Sequence, residues 1–420
     1  PSSNHRAGLK PRIGDSYNRV NRVQRFSRVA RRKPMRHEQL GGCFTLPRRA
    51  ISFVRRKRLQ FPLDATGETW KNKGGYDMIF PMSFSRIRRL AAPLFIGFFL
   101  ISLMGCPTAS PPASQLPAAP TGWKPQPSGT KENLGGLYFV SPKIGWVCGR
   151  GGSILRTDDA GETWVRQESG TNVILVALQF SDPLVGWAVG EQETIIHTVD
   201  GGKTWRPQAT NLPGTGRRRL NFTALSFSDR IHGWVVGDRG VILKTDNGGE
   251  TWILKTKSEG PGLGLPTLNT IVFSGLNDGW IAGDGGMILH TQNGGVTWSA
   301  QTGAASTDIL KLFFLNNRKG WAAGGKGLIL TTDDGGEHWR TQDSSTESFL
   351  ANIQFVNDRV GFAVGANGTV LSTGDGGEHW KQQTTNTIDF LLNVFFSEPR
   401  KGWVVGVGGL ILHTATGGEA

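Results

Sequence analysis

From Gly145 onward the chain is written in short runs of alternating apolar and polar positions, each closed by a glycine-rich turn. Alternation of period two marks half-buried β-strands. The runs recur as one unit: Gly-Trp, an apolar pair ending in Gly, a short turn, Ile-Leu or its like, then Thr and a glycine-rich turn ending in Trp. The Gly-Trp pair, once Gly-Phe, begins at 145, 186, 233, 279, 320, 361 and 402, at intervals of 41, 47, 46, 41, 41 and 41 residues. Such a period, built from short strands alone, predicts a repeat of β-sheet blades.

The second half of the unit is sharper. Its first copy is Thr157-x-Asp159-x-Gly161-x-x-Trp164. It recurs at Thr198/Asp200/Gly202/Trp205, Thr245/Asn247/Gly249/Trp252, Thr291/Asn293/Gly295/Trp298, Thr332/Asp334/Gly336/Trp339 and Thr373/Asp375/Gly377/Trp380. A last copy, Thr414/Thr416/Gly418, runs to the end of the sequence. A short Asp or Asn side chain accepts backbone hydrogen bonds across a tight turn, and glycine takes angles that a side chain resists. The Trp packs its apolar area on the hairpin and calls for a partner for its N–H. These turns resemble the Asp-box hairpins of β-propellers, sialidases among them.

Each unit predicts four strands, about 135–140, 145–149, 153–157 and 163–167 in the first. One unit has two exposed edges, and a ring of units hides both. Trp123-Lys124-Pro125-Gln126-Pro127-Ser128-Gly129 matches Trp164-Val165-Arg166-Gln167-Glu168-Ser169-Gly170, so Trp123 stands where an outer strand belongs. The last unit reaches Ala420, one residue before its own Trp is due. Residues 123–127 are therefore expected to complete the last blade. The predicted fold over 123–420 is all-β, a seven-bladed β-propeller with four-stranded antiparallel blades, its ring closed by the N-terminal strand of the domain.

The net charge of +14 does not belong to that domain. Residues 1–81 hold 19 Lys/Arg against 5 Asp/Glu, and 82–105 add three Arg, which leaves 25 basic and 28 acidic residues in 106–420. A nucleic-acid partner calls for a positive footprint on the folded domain, so none is expected. Residues 82–106 read as a signal peptide: Met82 to Arg89 form a basic start, Leu90 to Leu103 carry no charge, and Leu103-Met104-Gly105-Cys106 resembles a bacterial lipoprotein cleavage site. Fourteen mostly apolar residues are too few for a finished span across a core of about 30 Å. Lipidation at Cys106 is expected, with ordinary secretion or an uncleaved anchor as alternatives. Residues 107–122, rich in Pro, Ala and Ser, read as a linker. The basic extension 1–81 precedes Met82, where a signal peptide should start, and reads as disordered or as non-native translated upstream sequence; a basic arm or transit-type presequence is the alternative.

The candidate chemistry is thin. Asp159, Asp200, Asp334 and Asp375 belong to different blades, whereas glycosidases need two carboxyls within about 5–10 Å. His197, His290 and His413 are equally dispersed, and His338 and His379 stand before the Trp of their turns. Cys148 reads as a buried small hydrophobe. Tyr138 is the sole tyrosine of 106–420, with no arginine trio spaced through the inner strands. No catalytic residue, metal or cofactor is expected. The two lengthened crossings, 206–221 and 253–268, draw attention instead, because insertions on a regular scaffold often carry binding surface. The first contains Arg217, Arg218 and Arg219, and turns on the same face hold Arg150, Arg239 and Lys326 beside Glu191, Asp238 and Asp284.

Through its repeated Gly-Trp-x-x-Gly, Ile-Leu-x-Thr and Gly-Gly-x-x-Trp segments, as in Gly233 to Gly237 through Trp252, the stretch 123–420 resembles the photosystem II stability/assembly factor family. That resemblance implies a non-enzymatic, membrane-tethered protein-binding scaffold outside the cytoplasm, on the periplasmic side or in a thylakoid lumen. The implied partners are membrane protein subunits or assembly intermediates, met by a monomer through an arginine-rich face. Arg217, Arg218, Arg219 and Arg239 are the nearest candidates here. An extracytoplasmic lipoprotein binding glycan or another ligand is the alternative, and a sialidase-like glycosidase ranks below it.

Overall fold

The computed structural model describes residues 122–210, 212, 219–255, 266–301 and 305–419. The basic extension, the signal-like segment with Cys106 and nearly all of the linker lie outside them.

The described residues form seven antiparallel sheets of four strands each. In blade 1 the strands are Leu134–Phe139, Gly145–Gly149, Ile154–Thr157 and Val165–Gln167, within one or two residues of the pattern's reading. The first strands of neighbouring blades contact one another around the axis, and each fourth strand is the outer edge. Lys124–Pro125 pairs antiparallel with Ile411–Thr414, placing Lys124 opposite His413 and Pro125 opposite Leu412. The N-terminal strand thus completes the blade built from Leu391–Glu398, Lys401–Gly406 and Ile411–Thr414.

Both glycines of Gly-Trp-x-x-Gly have a steric cause. Gly145 lies opposite Phe139 across the first two strands, and a Cβ on it would stand 2.5 Å from the Phe139 ring. Gly149, at the other end, lies against the carbonyl of Asn133, where any Cβ would collide. The same two contacts recur in all seven blades.

The Phe freed to lie over that glycine then receives its neighbours. Trp146 stacks on Phe180 of the next blade at 3.6 Å between ring centroids, 9° from parallel. Trp187, Trp234, Trp280 and Trp321 repeat this on Phe227, Phe273, Phe314 and Phe355. Phe362 stacks on Phe396, and Trp403 closes the circle on Phe139. The turn Trp of each receiving blade meets the same Phe edge-on, as Trp205 does at 5.8 Å and 86° from Phe180. In the last blade Trp123 takes that place, 5.9 Å and 89° from Phe396. Each such pair is worth roughly 0.5–1.5 kcal/mol beyond the area buried.

Trp123 is 2 % exposed, so removing it empties a packed site at the ring closure. Trp123→Ala is expected to lower the unfolding free energy by about 3–5 kcal/mol in a denaturant titration, while Lys124→Ala, at an exposed position, changes it by under about 0.5 kcal/mol. A Trp123→Ala loss below about 1 kcal/mol would show that other contacts close the ring.

Candidate functional site

The repeated turns are hydrogen-bond modules. Asp159 Oδ1 accepts from Thr157 Oγ1 at 2.8 Å and from the Thr163 amide at 2.9 Å, while Oδ2 accepts from Thr163 Oγ1 at 2.6 Å. Thr157 Oγ1 in turn accepts from the amide of Gly161, whose φ of 88° suits glycine. Asp200 repeats the set with Thr198 and Thr204. Asn247 and Asn293 keep it by turning Nδ2 onto Thr251 and Thr297. Asp334 and Asp375 are bound by the amides and Nδ1 atoms of His338 and His379, the ring contacts being 2.7 and 2.8 Å.

These donors favour the ionised carboxylate. The Thr204 hydroxyl, then its amide, hold Asp200 down to about 2. Thr163 lowers Asp159 likewise, and the His338 and His379 amides lower Asp334 and Asp375. Carboxylates so fixed are poor general acids near neutral pH, and each sits in a separate blade. Asp334, Glu337 and His338 bring ligand atoms within 4.8 Å of one another, but Asp334 is already engaged by its own turn.

The expected partner for the turn Trp N–H is present in only some blades. Trp252 and Trp339 donate to Gln208 and Gln301, and Trp123 to Gln383 at 2.8 Å, whereas the indole nitrogens of Trp164, Trp205, Trp298 and Trp380 are buried without one among the described residues. The stronger donors act the other way, between blades. Gln167 Nε2 reaches the Gly201 carbonyl in the next blade's turn at 2.9 Å, and Trp146 Nε1 reaches the same oxygen at 3.3 Å. Gln126, Gln208, Gln301, Gln342 and Gln383 bridge the other seams. Lys255 occupies the corresponding position in blade 3, and there Trp234 Nε1 has no partner among the described residues. The match of Gln126 with Gln167 already carried this signal in the sequence.

The remaining singled-out groups are structural. Cys148 is fully buried, donates weakly to the Leu175 carbonyl at 3.6 Å, and has its thiol pKa pushed up by burial. His197, His290 and His413 stack on Trp187, Trp280 and Trp403, and burial lowers the pKa of each. Arg156 and Lys244 lie over Trp146 and Trp234 as cations at the same strand position. Tyr138 lines the axial channel, its pKa raised by burial.

The opposite end of the ring carries the lengthened crossing. Turns between second and third strands lie at this end, as do the crossings into the next blade. Arg219 is exposed, with Nη1 3.5 Å from the Gln192 carbonyl. The next turn, Asp238–Gly240, has Arg239 at its centre with φ 55°, where blades 1, 4 and 7 use Gly151, Gly285 and Gly408. Neither arginine has an ion pair among the described residues, and Arg217 and Arg218 lie outside them. Arg150, by contrast, stands 4.0 Å from Glu132.

The turn of blade 2 departs from the others in sequence. At the position of Glu193 other blades place glycine, because a crossing carbonyl such as Thr171 O would strike a Cβ on Gly152. Here the backbone tolerates Glu193, whose amide donates to Leu220 O at 2.7 Å and whose carboxylate accepts from Leu220 N at 3.2 Å. Acids also crowd this face. Burial raises the pKa of Glu191, Asp238 adds repulsion, and Arg150 opposes both. Asp284 is raised by burial and by Asp308, against a hydrogen bond from Asn269.

Fold and site together define a seven-bladed β-propeller with one end fixed by repeated turns and the other varied. The chain belongs to the family described as photosynthesis system II assembly factor YCF48, whose sequence profile matches residues 117–218, 164–252, 214–304 and 337–420. A solved structure described as YCF48 bound to D1 peptide is similar with a TM-score of 0.58 at 19 % identity, covering 72 % of this chain and 98 % of that one. YCF48 from Cyanidioschyzon merolae gives 0.57 at 22 %, covering 70 % and 98 %. The WD40 propeller domain of Doa1 gives 0.56 at 15 %, covering 70 % and 96 %. At these identities the three structures speak to the fold. No curated protein matches the chain by sequence.

The sign of the turn carboxylate shifts sets a pH response. A carboxyl lowered in the folded state from 3.8 to about 2, as at Asp200, adds stability that is present above 3.8 and lost as pH falls through about 2. Thermal denaturation from pH 5 to pH 2 is expected to show falling stability. The fall should be shallower in a variant with Asp159, Asp200, Asp334 and Asp375 all replaced by Asn, the residue of blades 3 and 4. Parallel curves for parent and variant would place the acid-sensitive groups elsewhere.

Proposed function

We propose that the propeller is a protein-binding scaffold held at a membrane outside the cytoplasm by lipid on Cys106, and that its partner contact runs through Arg217, Arg218, Arg219 and Arg239. The observation that carries the reading is Arg219: it is exposed on the lengthened crossing and has no ion pair among the described residues, and Arg239 in the next turn has none either. Arg219 stands over the neighbouring turn, on the crossing lengthened by about six residues. Guanidinium groups offer planar forks of donors suited to carboxylates on a partner.

The partner class is an extramembrane segment of a membrane protein subunit or assembly intermediate. The similar YCF48 structure bound to D1 peptide supports a peptide segment as the element recognised. Among the described residues no helix is long and apolar enough to cross a membrane, so anchoring is assigned to the segment before the propeller. Gly122 abuts Gly418 and Glu419 in the last turn, at the end of the ring opposite the arginines.

Two experiments test this. In a Gram-negative host, Cys106→Ser is expected to move the protein from the membrane to the soluble extracytoplasmic fraction; unchanged membrane association would place the anchor elsewhere. Replacing Arg217, Arg218, Arg219 and Arg239 by Ala is expected to leave circular dichroism unchanged. Recovery of membrane partners should fall several-fold, and the parent's own recovery should fall as salt is raised. Equal recovery by parent and variant at low and high salt would remove this face from partner binding.

A further inference from the structure

The first strands enclose an axial channel containing a cavity of about 440 Å³. Its lining includes two cations, Arg150 and Lys311, and no carboxylate. A bulge near the start of each first strand sets one residue per blade at a common rung, the one opposite the residue before the closing glycine of the second strand. That rung is lopsided: blades 1–3 place Gly136, Ala177 and Ala224 on it, and blades 4–7 place Thr270, Lys311, Asn352 and Asn393. Small residues occupy one side of the rung, and polar groups gather on the other.

Lys311 has protein packed all around it yet keeps some contact with channel solvent, and its ammonium has no hydrogen bond or ion pair to a described residue. An enclosed charge with no counter-ion is costly, and burial accordingly lowers the Lys311 pKa. On the adjoining blade, Asn352 is 5 % exposed, and its amide also has no partner among the described residues. Asn393 is bound to the Gly135 carbonyl and Thr270 to the Leu312 amide, so both hold the rung in place. Leu310, Phe313 and Phe395 add apolar surface to the same lining.

We propose that the channel binds a small amphiphilic carboxylate, with its anionic head on Lys311 and Asn352 and its apolar body against Leu310, Phe313 and Phe395. The cavity volume lies in the usual range for small-ligand sites, which are mostly apolar with a few placed polar groups. This site is independent of the arginine face, and neither reading depends on the other. A free organic acid and the carboxyl end of a peptide present the same head group, and the test separates them.

The probe is 4-phenylbutyrate, titrated calorimetrically into the full chain, with 4-phenylbutan-1-ol and 4-phenylbutylammonium as neutral and cationic counterparts. Saturable binding of the carboxylate and none of the ammonium is expected. Lys311→Met, which keeps length and removes charge, should weaken the carboxylate at least tenfold, leave the alcohol within twofold, and melt no lower than the parent. Lys311→Arg should retain binding. Ala351→Leu, which adds bulk to the cavity lining without touching the charge, should also weaken the carboxylate and guards against misfolding of the Lys311 variants. A short peptide with a free carboxyl end, compared with its amide, assigns the source: Lys311-dependent binding of the acid peptide in place of 4-phenylbutyrate would make a chain terminus the occupant. Absence of saturable binding by both carboxylates, or equal affinity in the parent and Lys311→Met, would overturn the proposal.

Discussion

A Trp face laid on the Phe of the next blade, 3.6 Å apart at Trp146 and Phe180, holds each of the regular seams of this ring. The contact constrains its surroundings in a chain of steric consequences. The Phe must lie flat over its own hairpin, so the residue opposite must be glycine, and that glycine directly precedes the Trp that reaches the following blade. The turn Trp then has only the edge of the same Phe to meet. Gly-Trp is thus one contact written twice: the glycine receives the previous blade, and the Trp supplies the next.

Polar bonds reinforce the aromatic stack where the sequence permits. The carbonyl of Gly201 takes both Trp146 and Gln167, and Gly335 takes Trp280 and Gln301. Two seams are thinner. Between blades 3 and 4, Lys255 stands in for Gln and the Trp234 indole nitrogen has no partner among the described residues. Between blades 6 and 7, Phe362 stacks on Phe396 and has no N–H to give, although Gln383 still reaches Gly417. In a ring whose blades contact chiefly their neighbours, local losses of this kind are carried by the adjoining seams.

The two ends of the ring are under different constraints. At the turn end, carboxylates and hydroxyls are consumed within each hairpin, which leaves little free chemistry there. At the crossing end, length can change without breaking a seam. Beside the crossing before Phe222, the turn of blade 2 carries Glu193 where the other blades have glycine, and Arg219 stands by the Gln192 carbonyl of that turn. Regularity at one end permits variation at the other.

The blade number, the strand pairs and the closing role of Trp123 were all legible in the sequence, because each depends on spacing along the chain. Period-two alternation, the recurring Gly-Trp and the match of residues 123–129 to 164–170 are local and additive. The partners of the turn Trp were only half legible: the repeated Gln marked the bridge, but its acceptor lies in the next blade, 34 residues on for Gln167 and Gly201. The acids gathered among the arginines could be named from their turns, yet whether Glu191 sits by Arg150 or Asp238 depended on how neighbouring blades pack. Lys311 reads in the sequence as one more polar position of an alternating strand. Only the bulge repeated in every first strand sets it on the common rung, and only closure of the ring makes that rung part of the lining of an axial cavity. Spacing determined the architecture; the channel exists because seven separate segments meet, and no single segment encodes what the others place opposite it.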